Sequence, residues 1–530
     1  MKTRILGIIA LGAALAGAVC SCSDLELGES QYHTKKYQFS DFDKVKEVMT
    51  NVYGYLESDF YSFRECATDD AVYANSPDTL SKYYDGSWSS NNVVDDKWAH
   101  YYQGIRAANY LLENCPEDFE IAKWNEQYTY YIEQLKNYPW EARALRAYFH
   151  FELLKRYQNI IIADRTFATS EVNSLVPATY EESVQWICSE LEECAKNLPE
   201  TYSGTYYSEL GRVTKGFAQA ARVRVLLYAA SPLNNPSGSA QKYAKAALAA
   251  QEIIADCTTS LRYSLMSQKY NSESKDLIFG VRESTSSTYE SNNFPVGYEG
   301  GNSGTCPTLN LVECFESGDP RLADAVLCNG DTFKGETVET FYGGKNGAPK
   351  DNASPTSFYL KKYIQDATSF VTGNLISYQH IYPLFRYAEV WLNYAEALFE
   401  ATKDPDFTGS LEGGSYSLSP RAALNTLRAV YSLPEIPAGL SETEFRARVR
   451  NERRVELCFE GHRYWDIRRW KIGDVTKTIE GLSIVRSGDN TYTSTRKTVA
   501  SRYWNDKMYW YPISENERHK NPNLIQNTGW

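Results

Sequence analysis

The stretch that decides the fold runs from Arg450 to Trp470: Arg-Asn-Glu-Arg-Arg-Val-Glu-Leu-Cys-Phe-Glu-Gly-His-Arg-Tyr-Trp-Asp-Ile-Arg-Arg-Trp. On a helix turning about 100° per residue, Phe445, Val449, Val455 and Phe459 share one apolar face. Glu452 and Glu456 fall in the middle of that face, one turn apart, with roughly 5–6 Å between their Cβ atoms. The pattern predicts that Gly461 ends this helix and that Trp465 and Trp470 belong to a second, shorter one.

Carboxylates on an apolar face need partners, because burial penalises their charged form. In one reading Glu452 and Glu456 are an acid/base pair, as in glycoside hydrolysis. In the favoured reading they are buried counter-ions for arginines on neighbouring helices and fix how helices meet. The segment itself supplies Arg450, Arg453, Arg454, Arg463, Arg468 and Arg469 as partners, and catalytic carboxylates usually sit on loops or strand ends.

The run from Glu452 to Trp470 resembles the C-terminal signature of the SusD/RagB family, the outer-membrane nutrient-binding lipoproteins of Bacteroidetes. Phe385 to Ala397 resembles that family's preceding helix. Tyr511-Pro512-Ile513 and Asn521 to Asn527 resemble its closing segment. The resemblance implies a helical fold containing tetratricopeptide-like units and a glycan-binding role. It also implies a SusC-like TonB-dependent transporter as partner, no cofactor and no catalysis.

Composition agrees with a folded, secreted binder. The 530 residues carry a formal net charge of −12, which argues against nucleic acid, since that partner needs a basic face. The 41 Tyr and 11 Trp supply core bulk and suit amphipathic ligands. The 11 Cys include no Cys-x-x-Cys pair and no accompanying His pair at metal spacing, so buried free thiols are expected and no metal site is read.

Residues 1–21 read as a lipoprotein signal peptide. Lys2 and Arg4 precede an apolar run, Ile5 to Val19, too short to span a bilayer. Cys22, preceded by Ser21, fits the lipidated position better than Cys20. Asp24 and Glu26 follow it, and residues 22–37 read as a polar tether. The body, 38–530, is expected to be all-α: a tetratricopeptide-like helical-repeat superhelix with a few short strands. Thr214–Ala230 with Ala240–Asp256, and Phe385–Ala401 with Pro420–Tyr431, read as helical hairpins with alanines at close-packing positions. Asp95 or Asp96 is expected to cap a helix on which Trp98, Tyr102, Ile105, Asn109 and Leu112 line one face. Glu141 to Tyr157 is apolar nearly all round, as for a helix packed on several sides. Residues 263–379 have no sustained period and read as an irregular, loop-rich insert, with a strand near Asp276–Arg282; 450–530 forms the C-terminal signature. Gly343-Gly344-Lys345-Asn346 lacks the spacing of a P-loop.

Two loops carry rings beside amide side chains, the pairing a sugar needs for its C–H faces and its hydroxyls. One holds Tyr84, Trp88, Asn91 and Asn92; the other holds Tyr289, Asn292, Phe294 and Tyr298. The family's platform is similarly built from an amino-terminal loop and a middle irregular segment. Trp88 is the leading candidate, because Gly86 and the surrounding Ser and Asn residues offer little core to bury it. The resulting expectation is a glycan-capture lipoprotein held on the outer membrane by a lipid anchor and exposed on the cell surface. The competing readings are a RagB-like peptide-capture subunit, a glycosidase using Glu452 and Glu456, and a bare helical scaffold.

Overall fold

The structure, a computed structural model, describes residues 34–530 apart from 76, 120–122, 203–210, 261, 268–273 and 490. Cys22 and the leader lie outside the described residues. The last part of the expected tether does not: Thr34 caps a short helix, Lys35–Gln38, and Gln38 accepts a hydrogen bond from Tyr110.

Helices dominate and pack on their sequence neighbours. Trp98–Leu112 lies on Tyr128–Tyr157, which lies on Tyr180–Asn197, then Lys215–Ala230, then Ala240–Ser260. Ala240–Ser260 in turn meets Tyr387–Thr402, against which both Pro420–Ala429 and Glu442–Glu456 pack. Both expected hairpins are present. In the first, Ala218, Ala221, Ala244, Ala247 and Ala250 are fully buried, small residues that let the backbones approach. Helix starts follow local chemistry: Thr179 with Glu182 and Ser441 with Glu444 form capping boxes, and Ser419 caps a helix that opens on Pro420. Asp96 accepts from the Trp98 amide at 3.1 Å, whereas Asp95 turns away to Arg64. The segment read as apolar all round is the second half of the Tyr128–Tyr157 helix, and its residues are buried on nearly every side.

The strand content exceeds the expected few. Among the described residues there are six two-stranded antiparallel ribbons. Leu277–Arg282 pairs with Ile381–Arg386, so one ribbon closes the insert at both ends. Ala71–Tyr73 pairs with Thr305–Pro307 and stitches the amino-terminal region to the insert. A long hairpin, Thr478–Arg486 with Tyr492–Ser501, follows the signature. Among the described residues no helix is long and apolar enough to cross a membrane. The nine described cysteines are free thiols. Burial pushes the Cys66 and Cys306 thiols up to about 12.

The signature helix ends earlier than its apolar face implied. It stops at Glu456, and Phe459 sits beyond it with φ 58°, followed by Gly461 at φ 71°. A side chain at Gly461 would run into Asp59 and Tyr382, so glycine serves both the turn and the close approach. The second helix, Arg463–Arg469, forms as expected.

Glu452 and Glu456 are 3% and 1% exposed. Their partners come from neighbouring elements, as the counter-ion reading expects, rather than from the arginines of the segment itself. Arg321 Nη1 reaches Glu452 at 2.6 Å and Glu456 at 3.1 Å; Arg428 holds Glu452 at 2.8 Å; Arg386 holds Glu456 at 3.0 Å. Arg386 also pairs with Glu460 and Asp276, and Lys362 pairs with Glu460 at 2.7 Å. The reason is rotation about the axis, since neighbours in sequence point to different faces. Arg453 is aimed at Asp466 and Asn393, and Arg454 at Asp69 and Asp70. Arg463 holds Asp69, Arg469 clamps Glu396, and Arg450 lies over the Trp470 ring. Burial alone would lower the Arg321 pKa, but Glu452, Asp319 and Glu456 outweigh it and hold it above its usual value. Burial likewise works against charge on Glu396, yet Arg469, with help from Arg453 and Trp470, brings its pKa to about 2.

Removing one carboxylate from this network strands a buried guanidinium, which costs roughly 3–5 kcal/mol. Glu456→Ala is therefore expected to lower the thermal unfolding midpoint sharply. A variant that melts with the wild type would show that the pairing does not hold the fold.

Candidate functional site

Neither predicted loop presents an aromatic platform. Trp88 is 3% exposed, with Tyr511 and Trp530 packed on it at ring-centroid distances of 4.9 and 5.2 Å and Tyr83 at 6.1 Å. The expectation of a surface ring fails because the core around Trp88 is supplied by the far carboxyl terminus rather than by its own loop. Tyr84 is half-buried beneath the Arg502 guanidinium, and its carbonyl accepts from the Tyr503 amide at 2.8 Å. Asn92 donates to the Ser87 carbonyl and closes its own turn, which leaves Asn91 exposed at the tip.

In the second loop Tyr289 and Phe294 are 3% and 1% exposed. Tyr289 donates to the Lys362 carbonyl, and Phe294 packs on Phe333 and Phe370. Asn292 is half-buried. Tyr298 is half-buried too; its hydroxyl donates to the Phe333 carbonyl and the Lys345 ammonium sits 3.9 Å from its ring centre. Among the described residues no hydrogen bond or ring contact joins the two loops.

An open basin of about 450 Å³ lies on the flanks of the first loop, between residues 57–64 and 79–97. Its lining includes Glu57, Tyr61, Arg64, Lys82, Asp95 and Lys97. The Tyr61 ring is 44% exposed. Beneath it, Phe60 is locked edge-on by Tyr289, Tyr363 and Tyr382 at 5.0, 4.9 and 5.3 Å. Tyr289 is thus buried behind Phe60, the sequence neighbour of Tyr61. Ser58 donates to Glu283 of the insert, so the insert braces this wall of the basin.

The charges in the basin are largely matched. Arg64 Nη1 donates to both Asp95 carboxylate oxygens, at 2.9 and 2.7 Å, and its Nη2 pairs with Asp59; Lys97 pairs with Glu57. Burial disfavours charge on Asp95, but Arg64 and Arg156 overcome this and lower its pKa; Arg156, Arg64 and Lys97 do the same for Glu57. The segment is positioned from below by the signature: Arg454 and Arg463 grip Asp69, whose pKa they bring to about 2 against the opposing effect of burial. The sequence signal for this site was present in Glu57-Ser-Asp-Phe-Tyr-Ser-Phe-Arg64, three rings interleaved with serines and charges, but nothing local distinguished it from core.

A second groove, of about 560 Å³, runs between the Trp98–Leu112 helix, residues 161–175 and the carboxyl terminus. Its floor is more apolar, with Trp98, Tyr102, Phe167 and Leu524. Among the described residues no group of three or more His, Cys, Asp or Glu could hold a metal ion.

The SusD family pattern matches residues 264–530, half of the chain. This chain belongs to the SusD family. Residues 27–227 also match a family described as starch-binding and associating with the outer membrane, so outer-membrane association comes with the family. SusD-like protein P2 of Formosa agariphila is 24% identical over 414 residues, 74% of this chain and 74% of that protein. Among solved structures, a SusD-like protein from Bacteroides fragilis superposes with a TM-score of 0.76 at 24% identity, covering 93% of this chain and 98% of that one. A SusD-like carbohydrate binding protein from the same organism gives 0.71 at 22% identity, covering 92% and 99%. At these identities the likeness carries the SusD fold, and the ligand must be argued from this chain's own basin.

Trp88→Ala is expected to destabilise the protein by roughly 3–5 kcal/mol through the cavity it leaves. An unchanged unfolding midpoint would return Trp88 to the surface.

Proposed function

We propose that the protein captures glycan at the outer membrane and hands it to a SusC-like TonB-dependent transporter, held there through lipid on Cys22. The observation that carries the reading is the basin itself. An exposed, rigidly backed ring at Tyr61 stands beside hydroxyls and charged hydrogen-bonding groups, the surface a sugar needs. The name of the B. fragilis carbohydrate binding relative points the same way. In this reading the stacked helix pairs are tetratricopeptide-like repeats that carry the basin and leave an outer surface for the transporter.

A hydrolytic role finds little support. Glu452 and Glu456 face an interior filled by Arg321, Arg386 and Arg428, and none of the described cavities is lined by them. The carboxylates that do line the basin, Glu57 and Asp95, are both ion-paired. A peptide ligand is favoured by no particular feature of the basin.

Affinity electrophoresis of the full chain across a polysaccharide panel tests the proposal. Tyr61→Ala is expected to weaken retention about tenfold, roughly 1.4 kcal/mol, with an unchanged unfolding midpoint. Equal retention of wild type and variant would place the site elsewhere. Extraction of the native protein in mild detergent should bring down a larger barrel protein; recovery of the lipoprotein alone at several detergent strengths would count against the transporter.

A further inference from the structure

The charge in the basin is uneven, and we infer from it that the captured glycan is anionic, presenting a uronate carboxylate or a sulfate ester to Lys82. This rests on the glycan-capture reading above. Glu57, Arg64, Lys82, Asp95 and Lys97 are the acidic and basic side chains in the lining. Four of them are matched within the protein, Lys97 with Glu57 and Arg64 with Asp95. Both carboxylates are engaged further, Glu57 by the Tyr101 hydroxyl at 2.9 Å and Asp95 by the Tyr511 hydroxyl at 3.0 Å. Arg64 is likewise taken up by Asp59 as well as Asp95.

Lys82 is different. It is half-buried at the end of the short Asp78–Ser81 helix and lines the cavity, yet among the described residues it has no carboxylate partner. A cation against partly dry walls, with no counter-charge of its own, concentrates anions from solution. Thr79, three residues earlier, lines the same cavity and adds a hydroxyl to its wall. The rest of the chain makes this local charge meaningful. At a net −12 the protein repels a polyanion overall, so capture of one requires a cation at the point of contact, whereas a neutral glycan requires none. Tyr61 would take the apolar face of the sugar and Lys82 its acidic group.

The test compares polyuronates and sulfated galactans with their carboxyl-reduced and desulfated twins, on the full chain at low salt. At least one anionic polymer is expected to be retained at least about tenfold more strongly than its neutral twin, the range of a charge-assisted hydrogen bond. Whether the uronate or the sulfate series shows the preference identifies the acidic group. Added salt should shrink the preference. Lys82→Met should abolish it with an unchanged unfolding midpoint, and Lys82→Arg should keep most of it. Equal binding of the twins overturns the anionic inference and leaves glycan capture standing. A preference that survives Lys82→Met overturns the role given to Lys82. Binding of no glycan in either series overturns both readings.

Discussion

Arg386 is the contact on which the rest of the structure depends. Its guanidinium, 1% exposed, is shared among Asp276, Glu456 and Glu460. These residues come from the position just before the insert's first strand, the end of the signature helix and the turn after it. Three carboxylates around one cation would be untenable alone, and Lys362 and Arg321 bring the balance back toward neutrality. Such a network is costly to desolvate and gives little net stability over an apolar core. What it supplies is geometry: a guanidinium fork accepts carboxylates only in its plane, so three segments distant in sequence meet in one arrangement.

That arrangement reaches the surface. The same signature helix sends Arg454, and the helix after it sends Arg463, to Asp69 and Asp70. Those aspartates anchor the segment that begins with Tyr61 and Arg64. The strand Ala71–Tyr73 then ties this segment to the insert. The carboxylates of the most charged stretch of the chain are therefore spent on ion pairs inside the fold. The stretch fixes the floor beneath the basin.

The two predicted loops show how burial is decided at a distance. Trp88 sits among Gly, Ser and Asn, a neighbourhood that offers no local core, and Tyr511 and Trp530 provide one from the other end of the chain. Tyr289 and Phe294 are drawn inward in the same way by Phe60, Phe333 and Phe370. Among the described residues Tyr61 has no ring from elsewhere in the chain packed on it, and it remains at the surface.

Local physics made much of this protein legible in its sequence. The periodic segments gave the helices, Ser, Thr and Pro marked several of their starts, alanine spacing marked the close-packed hairpin, and the spacing of Glu452 and Glu456 foretold two buried carboxylates. The family followed from the order of the motifs from Phe385 to Asn527. Tertiary structure alone decided which arginines neutralise those carboxylates, where the signature helix stops, and which rings stay exposed. Each of those depends on pairing between residues on different elements, 24 to 135 positions apart for the arginines on Glu452 and Glu456, and side-chain periodicity carries information only along one helix or strand. Lys82 is the plainest case: as a residue it is an ordinary lysine, and only the matching of the other charged side chains that line the basin leaves it without a carboxylate partner among the described residues.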